Sequence, residues 1–80
     1  MEKYKPIKSN KKDKKFMVLT NDGVIHFGDS SMEDYRQHKD KKRQENYCAR
    51  AKGIKNKKGE LTYNNKDSAN YWSYNFLWNC

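Results

Sequence analysis

The Asn-Asp-Gly sequence at residues 21–23 is the feature that most constrains how this 80-residue chain folds. Asp-Gly is typical of tight hairpin turns, because glycine tolerates the positive φ that such turns require. Short apolar runs lie on either side of it, at residues 16–20 and 24–27. We therefore predict a β-hairpin made of these two strands. Because a two-stranded ribbon is rarely stable alone, we expect a helix to pack on one of its faces.

A central helix is predicted by the residues that follow the hairpin. Ser30 and Glu33 have the spacing of a capping box, so a helix is expected to begin near residue 31. Residues 32–52 contain neither glycine nor proline and are rich in lysine and arginine. They form either one helix or two, since Asp40 is able to cap a second segment. Gly53 lies where this helical stretch would end.

A last helix is predicted over residues 69–78, with Ser68 as its cap. This stretch carries five aromatic side chains, which have no reason to face water, so we assign it to the core. The predicted fold class is therefore α+β: an N-terminal β-hairpin packed with a central basic helix and a C-terminal aromatic helix. A chain of this length is expected to form one domain.

Positive charge dominates the composition, with 18 Lys and Arg against 10 Asp and Glu and a formal net charge of +8. Seven of the lysines lie within residues 1–15. We interpret residues 1–14 as a flexible basic arm, either a solvated tail or a phosphate-binding segment, and residues 15–80 as the folded domain. Clustered positive charge is typical of proteins that bind nucleic acid, anionic membranes or acidic proteins.

The candidate binding residues are basic side chains of the arm, of the central helix and of a turn that follows it. Contacts between such side chains and phosphates release counterions, which makes binding sensitive to salt and largely independent of sequence. The candidates for nucleic-acid binding are Lys11, Lys12, His38, Lys39, Lys42, Arg43, Arg50, Lys55, Lys57 and Lys58.

The three arginines repeat every seven residues, which places Arg36, Arg43 and Arg50 on roughly one face of a helix. That face is suited to a nucleic-acid groove, to acidic groups of a partner, or to stacking on the C-terminal aromatic rings. Base stacking on exposed aromatic rings is discounted, because the aromatic residues are concentrated in the predicted core helix.

Neither a cofactor nor an enzymatic activity is expected. The histidines and cysteines lack the short paired spacing of zinc sites, so we expect no metal. A metal-dependent nuclease needs several carboxylates close together. The carboxylates that come closest to such a cluster are explained by positions at helix N-termini or by an ion pair. A nuclease is therefore the third of the functions that we consider. The histidines and cysteines in question are His26, His38, Cys48 and Cys80. The carboxylates are those of Asp29, Glu33, Asp34 and Asp40.

The two cysteines are too few for a disulfide framework. The first residues lack the apolar region of a signal peptide. No apolar run approaches the length of a membrane span, about 20 residues. We therefore expect synthesis in a reducing environment, without a membrane span and without secretion through a signal peptide.

Two parts of the chain carry distinctive motifs. The first combines His-Phe-Gly-Asp at residues 26–29 with Asp-Tyr-x-x-His-Lys-Asp-x-x-Arg-x-x-x-Tyr-x-x-Arg at residues 34–50. The second is the run Asn-Tyr-Trp-Ser-Tyr-Asn-Phe-Leu-Trp at residues 70–78. Together they resemble a family of small uncharacterised proteins found in large DNA viruses and in some marine phages. The chain departs from that family's pattern at Ala51 and Tyr74.

The resemblance implies a viral origin but no activity. Under it, backbone geometry and packing account for several patterned residues, whereas His38, Lys39, Arg43 and Arg50 are harder to explain by packing and are candidates for a binding face. We predict a small basic viral protein that binds nucleic acid, DNA in preference to RNA, in the virion or inside the host cell. The alternative is a minor capsid or core component that binds an acidic surface of another viral protein.

Overall fold

The computed structural model describes residues 1–80 and shows an α+β fold. A three-stranded antiparallel sheet in the order β1-β2-β3 comes first, and short helices follow it. The strands are β1 Ile7–Lys8, β2 Lys14–Thr20 and β3 Gly23–Asp29; the helices are α1 Tyr35–His38, α2 Lys41–Ala51 and α3 Ala69–Trp72, and α3 continues into a π-helical segment, Ser73–Leu77. No helix combines the length and the apolar character that crossing a membrane requires.

The predicted hairpin is confirmed, and its strands are longer than predicted. The two residues before Gly23 form the turn, and Gly23 itself has a φ of +98°. The hydroxyl of Thr20 closes the turn, because it donates to the carbonyl oxygen of Gly23 at 2.9 Å and accepts from the N–H of Asp22 at 3.1 Å. At the far end of the ladder Lys14 pairs with Asp29. These opposite charges extend both strands beyond the predicted apolar runs.

The hydrophobic core lies between the sheet and the C-terminal helix, as predicted. Val18 and Phe27 are buried almost completely, and Trp72, Leu77 and Trp78 pack with them. The rings of Phe27 and Trp72 have centroids 6.3 Å apart, a separation typical of aromatic pairs. The aromatic run near the end of the chain is therefore the part that covers the sheet.

Gly28 occupies a position beside this core that excludes larger residues. Its φ of +81° lies in the region that favours glycine. A Cβ at this position would lie 2.8 Å from Cδ1 of Leu77 and 3.2 Å from Cβ of Lys15. Backbone conformation and close packing thus both require glycine where β3 passes the C-terminal helix.

Residues 1–14, predicted to be a flexible arm, lie along the sheet instead. Strand β1 pairs with β2 through Ile7 opposite Met17, and the ring of Tyr4 stacks on Trp72 with centroids 6.4 Å apart. The edge of β2 explains the difference, since its backbone groups offer hydrogen bonds that composition does not reveal. The lysines of this segment therefore belong to the folded domain.

The hydroxyl of Tyr4 fastens this segment to the loop before α3. It donates to Oδ1 of Asp67 at 2.9 Å, and the N–H of Asn21 donates to the same oxygen at 2.9 Å. The bond to Asp67 raises the pKa of Tyr4 above its ordinary value of 10.0. The N–H of Asn21 is the main cause that lowers the pKa of Asp67. Both shifts favour the neutral phenol beside the ionised carboxylate.

Because of this contact, we expect the free energy of unfolding to decrease as the pH rises through the alkaline range. A phenol whose pKa is higher in the folded state stabilises the fold below its ordinary pKa, and that contribution is lost as the pH rises through the raised value. We expect Asp67→Asn to move the titration midpoint of Tyr4 back toward 10.0. An NMR titration of the tyrosine ring resonances measures this, and identical Tyr4 curves in the two proteins would contradict it.

Helix α1 begins at Tyr35, so the earlier start predicted from Ser30 is wrong. Asp34 is the N-cap and forms a capping box with Gln37. Residues 31–34 are not helical, and the hydroxyl of Ser30 donates to the carbonyl oxygen of Lys12 at 2.8 Å. Ser30 therefore contacts a distant segment of the chain and caps no helix.

Of the two alternatives for the central stretch, the break at Asp40 is confirmed. Lys39 ends α1 in a left-handed conformation with a φ of +52°. The carboxylate of Asp40 then accepts the N–H groups of Lys42 and Arg43 at 3.1 and 3.3 Å and begins α2. The basic stretch is thus two helices with different directions, which separates the side chains that they carry.

The last helix begins where predicted, since Oγ of Ser68 accepts the N–H of Asn70 at 3.2 Å. It changes from α-helical to π-helical geometry after Trp72. At its end the N–H of Trp78 donates to the carbonyl oxygen of Ser73 at 3.1 Å. The aromatic run is therefore one continuous helical stretch of mixed geometry.

A disulfide joins Cys48 of α2 to Cys80, a bond that the sequence did not predict. The two Cα atoms lie 5.9 Å apart, although the residues are separated by 32 positions. Tyr47, next to Cys48, stacks on Trp78 with ring centroids 4.3 Å apart, which brings the two segments together. This pairing depends on tertiary packing, so the number of cysteines could not reveal it.

Candidate functional site

A basic cavity of about 640 Å³ opens between the β1–β2 turn and helix α1, and we call it the loop cavity. Its walls carry six cationic side chains and no carboxylate. Unbalanced positive charge of this kind lowers the free energy of a bound anion, because the anion relieves the mutual repulsion of the cations. The six cations are Lys8, Lys11, Lys12, Lys14, Lys15 and Arg36.

The turn that carries the lysines is held by its own hydrogen bonds. The N–H of Ser9 donates to the carbonyl oxygen of Lys15 at 3.1 Å, and the N–H of Lys11 donates to Oγ of Ser9 at 3.0 Å. The hydroxyl of Ser30 holds the middle of the turn through the carbonyl of Lys12. The backbone therefore fixes where the lysines begin, while their exposed side chains remain free to follow a ligand.

Asp34 lies behind the cavity and connects two of its cations. Its side chain is 3% exposed; Oδ2 accepts from Nζ of Lys15 at 2.9 Å and Oδ1 lies 3.4 Å from Nε of Arg36. Nζ of Lys15 also donates to Oε1 of Gln37 at 2.6 Å. Lys15 is thus neutralised inside the protein, whereas the lysines of the turn have no carboxylate within ion-pair distance.

A second cleft, of about 380 Å³, lies on the other side of Lys15 against one face of α2. We call it the helix cleft. Arg43 and Arg50 line it, as the seven-residue spacing predicted, but Arg43 already lies 4.0 Å from a carboxylate oxygen of Glu33. Asp29 also lines this cleft, and hydrogen bonds from Ser31 hold the pKa of Asp29 below its ordinary range. The mixed charge makes the helix cleft a weaker anion site than the loop cavity.

The aromatic part of the helix cleft is packed rather than open. Tyr47 and Trp78 stack with an interplanar angle of 9°, and burial raises the pKa of Tyr47. The guanidinium of Arg50 lies 5.6 Å from the centroid of the Tyr47 ring. These contacts show that Tyr47 and Trp78 pack α2 against the C-terminal helix.

The predicted binding residues fall into separate groups. Lys11 and Lys12 line the loop cavity, and Arg43 and Arg50 line the helix cleft. The remaining lysines are exposed but line neither cavity: these are Lys39, Lys42, Lys55, Lys57 and Lys58. The structure therefore does not gather the ten predicted residues into one surface.

His38 is placed inside the packing rather than on a binding face. Its Nδ1 accepts the N–H of Asp40 at 2.9 Å, and its ring centroid lies 5.1 Å from that of Trp78. Its Nε2 is buried without a hydrogen-bond partner. A phosphate has no access to that nitrogen. The position of His38 in the fold therefore does not fit the phosphate contact predicted for it.

Several residues of the loop cavity were not among the predicted set, namely Lys8, Lys14, Lys15, Arg36 and Gln37. The dense lysine run at residues 1–15 was the available signal for the first three. No signal in the sequence linked that run to α1, because the contact joins segments about 25 residues apart in the chain. Separately, no group of three or more His, Cys, Asp or Glu side chains is placed so that it could hold a metal ion.

Comparison with known proteins gives one match. The profile of a family of unknown function (DUF5754) matches residues 5–51, which include the whole sheet, helices α1 and α2 and every residue that lines the loop cavity. No curated protein matches the chain. No solved structure matches it either. The family description names neither a virus nor an activity, so the viral origin stays a prediction.

Proposed function

The chain belongs to this family of unknown function, DUF5754, and we propose that it binds nucleic acid without catalysing a reaction, through phosphate contacts centred on the loop cavity. The observation that carries the proposal is the set of four lysines without an ion-pair partner that line the loop cavity, whose walls carry no carboxylate. Every one of these residues lies in the part of the chain that matches the family. The site is therefore part of the domain that defines the family, and not of a peripheral extension.

The charges around the loop cavity suit phosphates in particular. Four lysines there have no ion-pair partner in the protein: Lys8, Lys11, Lys12 and Lys14. Lysine ammonium groups bind phosphate as point charges with little directional preference, so they accept a backbone of any sequence. Neutralising four phosphates of a duplex gives a slope of about −3.6 in a plot of log affinity against log salt.

Exposed cations outside the cavity offer further, separate phosphate contacts. Helix α2 carries three of them, Lys42, Arg43 and Arg50, and Lys39 lies just before it. The turn after α2 carries Lys55, Lys57 and Lys58. Because the protein measures about 33 × 30 × 18 Å, a nucleic acid of about ten base pairs spans its longest dimension. Contacts at these lysines would increase affinity without adding sequence specificity.

The test is a fluorescence-anisotropy titration with a short labelled duplex DNA at several salt concentrations between about 50 and 200 mM. Replacing Lys8, Lys11, Lys12 and Lys14 with alanine is expected to weaken binding by about 10- to 100-fold and to reduce the salt slope by about 3–4. The matched control replaces four exposed lysines outside the cavity, which removes the same charge: Lys3, Lys5, Lys52 and Lys66.

The control separates a local site from a general effect of net charge. Equal losses in the two quadruple variants would contradict a binding site at the loop cavity. A third variant with Lys39, Arg43 and Arg50 replaced by alanine measures the contribution of the helix face. No binding of wild-type protein at low salt would overturn the proposal, and would favour the alternative of an acidic protein surface as the partner.

A further inference from the structure

We propose that the loop cavity recognises single-stranded nucleic acid, with one unstacked base lying on the exposed part of the Arg36 guanidinium and the adjoining phosphates at the lysines of the turn. This inference rests on the proposed function and specifies the form of nucleic acid that the same site takes. It also revises the expectation from the sequence, where base stacking was discounted because the aromatic rings were assigned to the core.

The guanidinium of Arg36 is held in place before any ligand binds. Its central carbon lies 4.6 Å from the centroid of the Phe16 ring and 5.4 Å from that of Phe76. On its edge, Nε lies 3.4 Å from Oδ1 of Asp34. These contacts fix a side chain that is otherwise among the most flexible, so a ligand that uses it loses little conformational entropy.

Part of the Arg36 side chain remains available to a ligand. The Arg36 side chain is 41% exposed, although two aromatic rings lie against it, and it lines the loop cavity. Its two terminal nitrogens donate no hydrogen bond within the protein, since Nε makes its only side-chain hydrogen bond. A planar, delocalised cation in this position stacks on a nucleobase as an aromatic ring does.

Gln37 supplies a polar group beside Arg36. Its Oε1 accepts from Nζ of Lys15 at 2.6 Å and from the N–H of Asp34 at 3.0 Å. Both partners are donors, so the oxygen must face them, and the amide nitrogen is left without a partner in the protein. This N–H₂ group is able to donate to an acceptor on the edge of a base or on a sugar.

The form of the nucleic acid follows from what each form exposes. A duplex keeps its bases stacked on one another and offers its phosphates to the lysines, but no base face to Arg36. A single strand offers both, because its unstacked bases can be splayed out and placed on a planar side chain. The volume of about 640 Å³ lies within the range of pockets that hold a small ligand.

The experiment compares three labelled probes of equal length: a single-stranded DNA of mixed sequence, the same strand without bases (an abasic sugar-phosphate chain), and a duplex. The abasic strand has the same phosphates and therefore measures charge alone. We expect wild-type protein to bind the mixed single strand about 5- to 160-fold more tightly than the abasic strand, the range for stacking of one base.

The Arg36→Lys substitution keeps the positive charge and removes the planar guanidinium group on which a base would stack. We expect it to lower affinity for the mixed strand to the level measured with the abasic strand, so that the ratio of the two affinities falls to about one. Thermal unfolding of Arg36→Lys is measured alongside, and the wild-type comparison of mixed and abasic strands tests the inference independently of that variant.

The outcomes separate the inference from the proposed function. Equal wild-type affinity for mixed and abasic strands, with a steep salt slope, would overturn base recognition and leave nucleic-acid binding intact. A base preference that persists in Arg36→Lys would overturn the assignment to Arg36. A single mononucleotide that competes as well as the strand would show a free nucleotide to be the ligand instead. No binding of any of these probes would overturn both proposals.

Discussion

Replacing Asp34 with alanine is expected to lower the free energy of unfolding by about 3–5 kcal/mol, the range for breaking a buried ion pair from one side. The carboxylate is 3% exposed and Lys15, its partner at 2.9 Å, is 13% exposed, so the lysine would be left charged and nearly buried. The same carboxylate accepts the N–H of Arg36 at 2.9 Å as the N-cap of α1. One substitution therefore removes an ion pair and a helix cap together.

Urea unfolding, followed by tryptophan fluorescence, measures this loss through the denaturation midpoint. Glu45→Ala is the matched control, because it removes a negative charge from an exposed position of α2 that forms no ion pair. Asp34→Asn keeps an acceptor for the cap but loses the charge. Its loss of unfolding free energy is therefore expected to lie between those of Asp34→Ala and Glu45→Ala. A change below about 1 kcal/mol for Asp34→Ala would contradict the role assigned to this carboxylate.

Reducing the disulfide between Cys48 and Cys80 is expected to destabilise the fold by about 3–4 kcal/mol. This value follows from the chain entropy that the unfolded protein regains when a loop of 32 residues is opened. For a domain of this size the melting temperature falls by about 4–8 °C for each kcal/mol, which gives roughly 12–32 °C in total. The effect is large because so small a domain buries little surface.

Thermal unfolding with and without a thiol reductant measures this difference directly. The Cys48→Ser, Cys80→Ser double variant is expected to melt near the reduced wild type and to show no response to the reductant. That lack of response controls for effects of the reductant on other parts of the protein. Melting temperatures of the oxidised and reduced proteins within about 3 °C of each other would contradict a stabilising role.

Local signals explain which parts of the fold could be predicted. The turn before Gly23, the cap at Asp40 and the cap at Ser68 each depend on side-chain chemistry within a few residues, and the structure contains all three. The capping box predicted at Ser30 is wrong, since residues 31–34 are not helical and the Ser30 hydroxyl donates to Lys12, which lies 18 positions away. The disulfide was missed for the same reason, since its partners meet only through tertiary packing.

The candidate site shows the same division. Clustered charge was sufficient to select Lys11 and Lys12, which line the loop cavity. From the sequence, Arg36 was considered only as one of three arginines on roughly one face of a helix. The left-handed residue Lys39 ends α1, so Arg36 lies over Phe16 while Arg43 lines a different cleft. A single change of backbone direction thus decided which cations share a site, and the seven-residue spacing could not show it.

The pairing of β1 with β2 has a consequence for how the protein avoids self-association. An exposed strand edge presents a row of unpaired N–H and C=O groups to which a strand of another molecule can add. The N-terminal segment covers the edge of β2 with β1 and with the bridge between Lys3 and Leu19. Its lysines also place positive charge along that edge, where like charges on two molecules repel each other. The same basic segment that forms the wall of the loop cavity therefore replaces the long edge of β2 with a charged edge strand of two residues, which offers few backbone groups for intermolecular strand addition on that side of the sheet.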